Sequence, residues 1–292
     1  MLGRQHPLGL SWGSVKAPTL EVLVRAAAAG GFAAVSVRPE LFFDAQRRGL
    51  RTHDFRRLLS DHGVTVASID PLLSALAGQP QPEDIAPHHR VLFSYDEDAC
   101  YRAAETLEAE SVNLAHFLGR SVEFDHFVDV LGDVAERGRV RGVRLTLEFF
   151  PESPVITDLA AALAVVAAVN ADNLGIMLDT VHFARSGGDL ATLASAPARA
   201  IGGFQLADYP AREPGAAYVP MAGRLLPGEG TLPLMQVVTE VLTLRPDLRI
   251  DVEVFNEELQ GLAPDDAAVR VEAATRQLLE RGVAARAPAS ER

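Results

Sequence analysis

The sequence predicts an α/β fold, a single closed (β/α)8 barrel of the TIM type, on three observations. Short apolar runs alternate with helical periods eight times. Parallel strands need crossovers, and closure leaves no open edge. Finally, 292 residues with 48% hydrophobic content suit one large domain, and no Pro/Ser-rich linker divides them.

The strands are expected near 8–12, 34–37, 64–69, 111–117, 143–149, 174–179, 201–206 and 250–255, each apolar or β-branched and followed by a turn. Amphipathic helices are expected from Thr19 to Ala29, Asp54 to His62, Asp96 to Glu110, Asp125 to Arg137, Thr157 to Val169, more weakly from Asp189, then Leu232 to Leu242 and Pro264 to Arg281. Thr157-Asp158 reads as a cap, and Gly30-Gly31, Gly63 and Gly282 read as residues that follow helix ends. The barrel should occupy residues 1–283, with a frayed tail over 284–292. Two long connections, one holding Pro71 to Pro87 and one holding Pro210 to Pro227, follow strands 3 and 7 and should lie over the mouth.

The formal charge of −12 opposes a nucleic-acid partner, because phosphate backbones are held by clustered cations. The one dense basic stretch, Arg47-Arg48, Arg51 and Arg56-Arg57, reads as a solvated face. Cys100 is the sole cysteine, which excludes an internal disulfide and a Cys-based zinc site, and it should pack as a small hydrophobe. No signal-peptide core and no membrane span is legible, so the expectation is a cytoplasmic enzyme with a small-molecule substrate and no membrane partner.

Four of the apolar runs end on an acid or amide: Glu148, Asp179, Gln205 and Glu253. At the carboxyl end of a barrel strand such residues read as chemistry rather than packing. Three carboxylates and an amide oxygen are hard donors that suit one Mg²⁺ or Mn²⁺ ion better than Zn²⁺. Arg224 could offset the remaining negative charge and anchor substrate. His116, Arg38, Asp70 and Trp12 stand at strand ends where substrate contact or packing are both open, and Asp208 is either a partner of a ligand or a turn cap.

In Leu147-Glu148-Phe149-Phe150-Pro151, Leu178-Asp179-Thr180-Val181-His182, Phe204-Gln205-Leu206-Ala207-Asp208, Arg224 with Pro227-Gly228-Glu229-Gly230, and Val252-Glu253-Val254-Phe255, the chain resembles the xylose-isomerase-like barrel family. That family includes sugar isomerases, ketose 3-epimerases, inosose dehydratases, 3-dehydroshikimate dehydratases and endonuclease IV-type nucleases. The resemblance implies that Glu148, Asp179, Gln205 and Glu253 bind metal, that His182 and Arg224 contact substrate, and that the assembly is a homodimer or homotetramer.

Chemically, an enolising isomerase or epimerase acting on a polyhydroxylated ketone or aldehyde is expected, with Glu148 and Glu253 moving the protons. The alternative is a dehydratase of a cyclic keto-polyol such as an inosose or 3-dehydroshikimate, in which His182 protonates the leaving hydroxyl. Gln205, where many ketose epimerases and the nucleases carry His, tilts the reading toward dehydration. A nuclease would need more His ligands and a basic face, and an inactive binding barrel would have no reason to hold three carboxylates together.

Overall fold

The computed structural model of the chain describes residues 6–211 and 218–284. Eight parallel strands close into a barrel in sequence order: β1 (Leu8–Leu10), β2 (Ala34–Val37), β3 (Thr65–Leu72), β4 (Ser111–Ala115), β5 (Leu145–Glu148), β6 (Leu174–Asp179), β7 (Ile201–Leu206) and β8 (Ile250–Val252). The seam is the β1–β8 pairing, with Leu8 opposite Ile250, Gly9 opposite Asp251 and Leu10 opposite Val252. β1, β4, β5 and β8 are shorter than their apolar runs suggest, and β3 is longer. It runs on past a register shift to pair Leu72 with Leu114.

The helices are α1 (Leu20–Ala29), α2 (Pro39–Arg47), α3 (Thr52–His62), α4 (Glu97–Leu107), α5 (Phe124–Val140), α6 (Leu159–Val169), α7 (Thr180–Arg185), α8 (Leu190–Ala194), α9 (Leu234–Leu244), α10 (Glu257–Gln260) and α11 (Pro264–Ala284). Side-chain caps begin several of them, because the first turn leaves N–H groups without partners. Thr19 accepts from Val22 N, Asp96 from Ala99 N and Asp158 from Ala161 N. Gly63 ends α3 at φ +63°, as its sequence position suggests.

Three helices were not legible as such. α2 starts with Pro39 at its first position and buries Leu41, Phe42 and Ala45; α7 and α10 are each a turn or so long, begun by Asp179 and Asn256. Gly282 departs from expectation in the other direction. It lies inside α11, where Met235 Cε of α9 fills the place its side chain would take, 2.0 Å from a Cβ built there. Ala284 is thus helical; of the expected tail, 285–292 lie outside the described residues, as do Met1–Gln5.

Side chains alternate along each strand, so one set faces the helices and the other faces inward. The outward set, including Leu10, Val35, Ile69, Leu114, Leu147, Leu178, Leu206 and Val252, joins the helices in one continuous core with Cys100 and Tyr101. The inward set is small or polar. At its base, Met177 fills the place a Gly203 side chain would take, and Asp251 fills that of Gly9. The basic stretch proves to be solvated, with Arg47 on Asp44, Arg48 on Glu21, Arg56 on Glu108 and Arg57 on Asp54. Among the described residues, no helix is long and apolar enough to cross a membrane.

β6 and β7 are drawn together at a register shift where Gly175 meets Gly202, and a Cβ on Gly175 would stand 2.8 Å from Gly202 Cα. Backbone cannot step aside as a flexible side chain can. Gly175→Ala is therefore expected to destabilise the fold by about 1–3 kcal/mol, an overpacking cost, read as a lower urea midpoint at unchanged slope.

Candidate active site

Each of the eight strands sends one polar side chain to the carboxyl end of the barrel interior: Ser11, Ser36, Asp70, Asn113, Glu148, Asp179, Gln205 and Glu253, all buried. They form a connected network. Ser36 Oγ donates to Ser11 Oγ (3.2 Å), and Ser11 Oγ donates to Glu253 Oε1 (2.8 Å). Gln205 Nε2 donates to Glu253 Oε1 (3.2 Å) and to Asp70 Oδ2 (3.4 Å). Asn113 Nδ2 donates to Asp70 Oδ1 (3.0 Å) and to Glu148 Oε2 (2.8 Å), while Thr146 holds the amide oxygen of Asn113 (2.8 Å).

Two basic groups complete the floor. Arg224 is buried, and its Nη1 donates to Asp179 Oδ2 (2.7 Å), Glu253 Oε2 (3.1 Å) and the Glu253 carbonyl (3.0 Å). Its Nη2 lies 3.3 Å from His182 Nε2, which must accept because a guanidinium only donates. That contact leaves the His182 proton on Nδ1. His182 also stands 3.6 Å from Glu148 Oε1 and edge-on to Phe150, 4.4 Å between ring centres. Asp179 caps α7 as well, its Oδ1 accepting from Val181 N (2.7 Å) and His182 N (2.9 Å). That cap is why Asp-x-x-His brings both side chains to one place.

Four carboxylates share this floor with a single guanidinium, so their proton affinities diverge. Burial, with the neighbouring Glu253, Asp70 and Asp179 charges, pushes Glu148 well above the usual carboxylate range. Burial lifts Glu253 to about 8 against the opposing pull of Arg224, and lifts Asp70 to about 6 against its hydrogen bond from Asn113. Burial would raise Asp179 too, but the Arg224 charge, His182 and the hydrogen bonds from both together outweigh it, and Asp179 stays low. His182 falls to about 4 through burial, which its Asp179 neighbour only partly offsets, so the ring is neutral at pH 7.

A cation fits the arrangement on several counts. Gln205 Oε1 is buried and has no hydrogen-bond partner among the described residues, because its amide nitrogen is committed to Asp70 and Glu253. Donor atoms of Glu148, Asp179 and His182 lie within 4.8 Å of one another. The remaining donors are carboxylate oxygens, the type that hard divalent ions take.

The other sequence candidates are sorted by their contacts. His116 is buried and lines the cavity, with Nδ1 on Ser153 Oγ (2.8 Å), its far edge packed on Gly78 and Gly119, and Nε2 without a partner among the described residues. Arg38 lies behind Trp12, its guanidinium 4.6 Å from the ring centre, and pairs with Glu40 at 2.5 Å. Trp12 is half-buried and lines the cavity. Asp208 is a loop cap. Its carboxylate accepts from Tyr209, Gly228, Gly230 and Leu232 N–H groups at 2.9–3.1 Å, and its backbone pairs with Leu225 next to Arg224.

Sequence reasoning missed Asn113 and Ser11, whose signal is a lone polar residue at an inward position of an apolar strand. It also missed Phe150, and Tyr218, whose ring lies 3.4 Å from the Arg185 guanidinium. Of the connection that holds Pro210 to Pro227, residues 212–217 lie outside the described residues.

The model of the xylose isomerase-like TIM barrel family matches residues 24–279. The chain belongs to that family. Among its relatives, an inosose isomerase of Bacillus subtilis is 28% identical over 145 residues, which cover 48% of this chain and 50% of the relative. A 3-dehydroshikimate dehydratase of Pseudomonas aeruginosa is 25% identical over 249 residues, covering 82% of this chain and 36% of the relative. The chain thus spans half or less of the length of these curated relatives. In fold, this family member resembles the crystal structure of an IolI protein with a bound zinc atom, at a TM-score of 0.80 and 18% identity, over 94% of this chain and 98% of that one.

A carboxyl that keeps its proton to about pH 8 in the fold, but releases it near 4.5 when unfolded, makes the fold lose stability as pH rises between those values. Glu253→Gln removes this dependence while its amide oxygen still accepts from Ser11. The stability of the variant relative to the parent should therefore grow from pH 5 to pH 8, by on the order of 1.4 kcal/mol per unit of displacement. Chemical denaturation of the metal-free protein at both pH values checks it.

Proposed function

We propose that this chain is a divalent-metal-dependent enzyme that enolises a hydroxylated ketone or aldehyde, with isomerisation or epimerisation as its net reaction. The observation that carries the reading is the pair of buried carboxylates of raised proton affinity, Glu148 on β5 and Glu253 just past β8, at one end of the barrel. A buried acid whose proton affinity is raised above the ordinary carboxylate range can hold or release a proton in the course of a reaction, as a general acid or base must.

Glu148, Asp179, Gln205 and Glu253 would hold Mn²⁺ or Mg²⁺, with Gln205 turned to offer its oxygen by Asp70 and Glu253. When bound, the ion supplies Lewis acidity toward a carbonyl oxygen and the hydroxyl beside it. A borderline ion such as zinc would draw on His182, whose donor atoms lie close to those of Glu148 and Asp179.

The remaining steps belong to the side chains. One of Glu148 and Glu253 takes the proton from the carbon beside the carbonyl and the other returns one, from strands well separated around the barrel. Arg224 Nη2 orients substrate oxygen, held in place by Asp179, Glu253 and the loop that Asp208 caps. His182, neutral and with Nε2 accepting from Arg224, has its Nδ1–H left over as a donor for substrate.

Dehydration is the second reading. It is favoured by the match to a 3-dehydroshikimate dehydratase along 82% of this chain. There the enolate expels a β-hydroxyl, and the protonated Glu148 carboxyl, 3.6 Å from His182, is the acid nearest to hand.

The test is proton NMR in D₂O with Mg²⁺- or Mn²⁺-loaded protein, the manganese removed before acquisition, on ketoses, an inosose and 3-dehydroshikimate. Deuterium beside the carbonyl with hydroxyls retained is the expected outcome; vinylic or aromatic signals would show dehydration. Glu148→Gln and Glu253→Gln should each lower the exchange rate by about 100-fold or more without unfolding. If exchange persists after chelation and at full rate in both variants, the reading fails.

A further inference from the structure

Above its charged floor the cavity changes character. Trp12, Leu73, Leu92, Phe117, Phe150 and Met221 form its wall, and Phe255 stands edge-on to Trp12 at 5.2 Å. Few polar groups stand at this level: His116 Nδ1 and Ser153 hold each other and Glu152 pairs with Arg185, which leaves the His116 Nε2 atom, the Trp12 indole N–H and the Tyr218 hydroxyl as what the wall itself offers. The inner cavity, about 110 Å³, shares Trp12, Leu92, Pro220, Met221 and Phe255 with a second hollow of about 310 Å³, whose outer lining adds Arg38, His89 and Gln260.

A free ketose or cyclitol carries hydroxyls around its whole carbon frame. Set on this floor, such a molecule would press several of them against aromatic and aliphatic carbon, where each gives up water without a partner. A site that selects for hydroxyls holds matching donors and acceptors along its wall. This wall instead matches a body of carbon, the composition usual for sites that take apolar ligands.

We propose that the substrate of this site is amphipathic: a hydroxy-ketone or hydroxy-aldehyde head that meets the carboxylates and Arg224, joined to an aromatic or alkyl body lying along Trp12, Phe117, Leu92 and Met221. The assignment of the head rests on the enolising reading above; that of the body rests on the wall alone.

Trp12 is the only tryptophan and lines both hollows, so its fluorescence reports occupancy whether or not chemistry follows. The probes are 1-hydroxy-4-phenylbutan-2-one, dihydroxyacetone and D-fructose, titrated into Mg²⁺-loaded protein. The phenyl ketone should saturate the signal at a concentration about 100-fold lower than either polar ketone. Met221→Asn puts an amide into the wall at a φ of +54°, which asparagine tolerates, and Phe117→Ser removes a half-buried ring. Each should weaken the phenyl ketone at least tenfold while leaving dihydroxyacetone unchanged.

Saturation by D-fructose at or below the phenyl ketone concentration would overturn the proposal and leave the enolising reading intact. Indifference of the phenyl ketone to both wall variants would overturn it as well. Tight binding of the phenyl ketone without deuterium exchange at its α-carbon would uphold the apolar body and count against the enolising reading.

Discussion

Everything at the mouth of this barrel depends on keeping four carboxylates out of water within one hydrogen-bonded network. Like charges so placed repel, and burial removes the solvent that would screen them. The structure answers in three ways. Arg224 joins Asp179 to Glu253. Amides at Asn113 and Gln205 divide their N–H groups among the acids on either side. Glu148 and Glu253 hold protons at pH values where a solvated glutamate would have lost them. Each answer restrains the others, since an amide that donates to two carboxylates has only its oxygen left to present.

The same economy explains why the barrel interior differs from its outside. The outward faces carry branched aliphatic side chains against the helices, and the inward faces carry serine, threonine, glycine, amide and acid. Small residues, Ser11 just past β1 and Ser36 on β2, leave room on one side of the floor, while the acids stand on β3, β5, β6 and just past β8. Substrate therefore meets a lopsided surface, with charge on one side and an aromatic and aliphatic wall rising from it.

The architecture was legible because buried parallel strands and amphipathic helices leave strong periodic signals, and all eight strand positions follow from them. The acids at Glu148, Asp179 and Glu253 were legible as charges standing at the ends of apolar runs. Asn113 was not, since a single amide inside Ser111-Val112-Asn113-Leu114-Ala115 has no local feature to mark which way it points. His116 shows the limit from the other side. Its place at a strand end resembles that of a ligand, yet Gly78, distant in sequence, packs against its ring together with Gly119, three residues on. α2 escaped notice because a short helix opening on Pro39 looks like a turn until its buried face finds a neighbour. Contacts between distant segments carry no one-dimensional signature.

Asp208 and Leu225 exchange backbone hydrogen bonds across an excursion of the chain, and the Asp208 carboxylate then fixes the turn that follows Arg224. The excursion has a neck that is closed independently of what lies beyond it. Exchange of Tyr218, Pro220 or Met221 can alter the wall over the mouth without moving the arginine below. Descendants of this fold could thus acquire new ligands by rewriting those wall residues, while the floor of acids and amides is left as it stands.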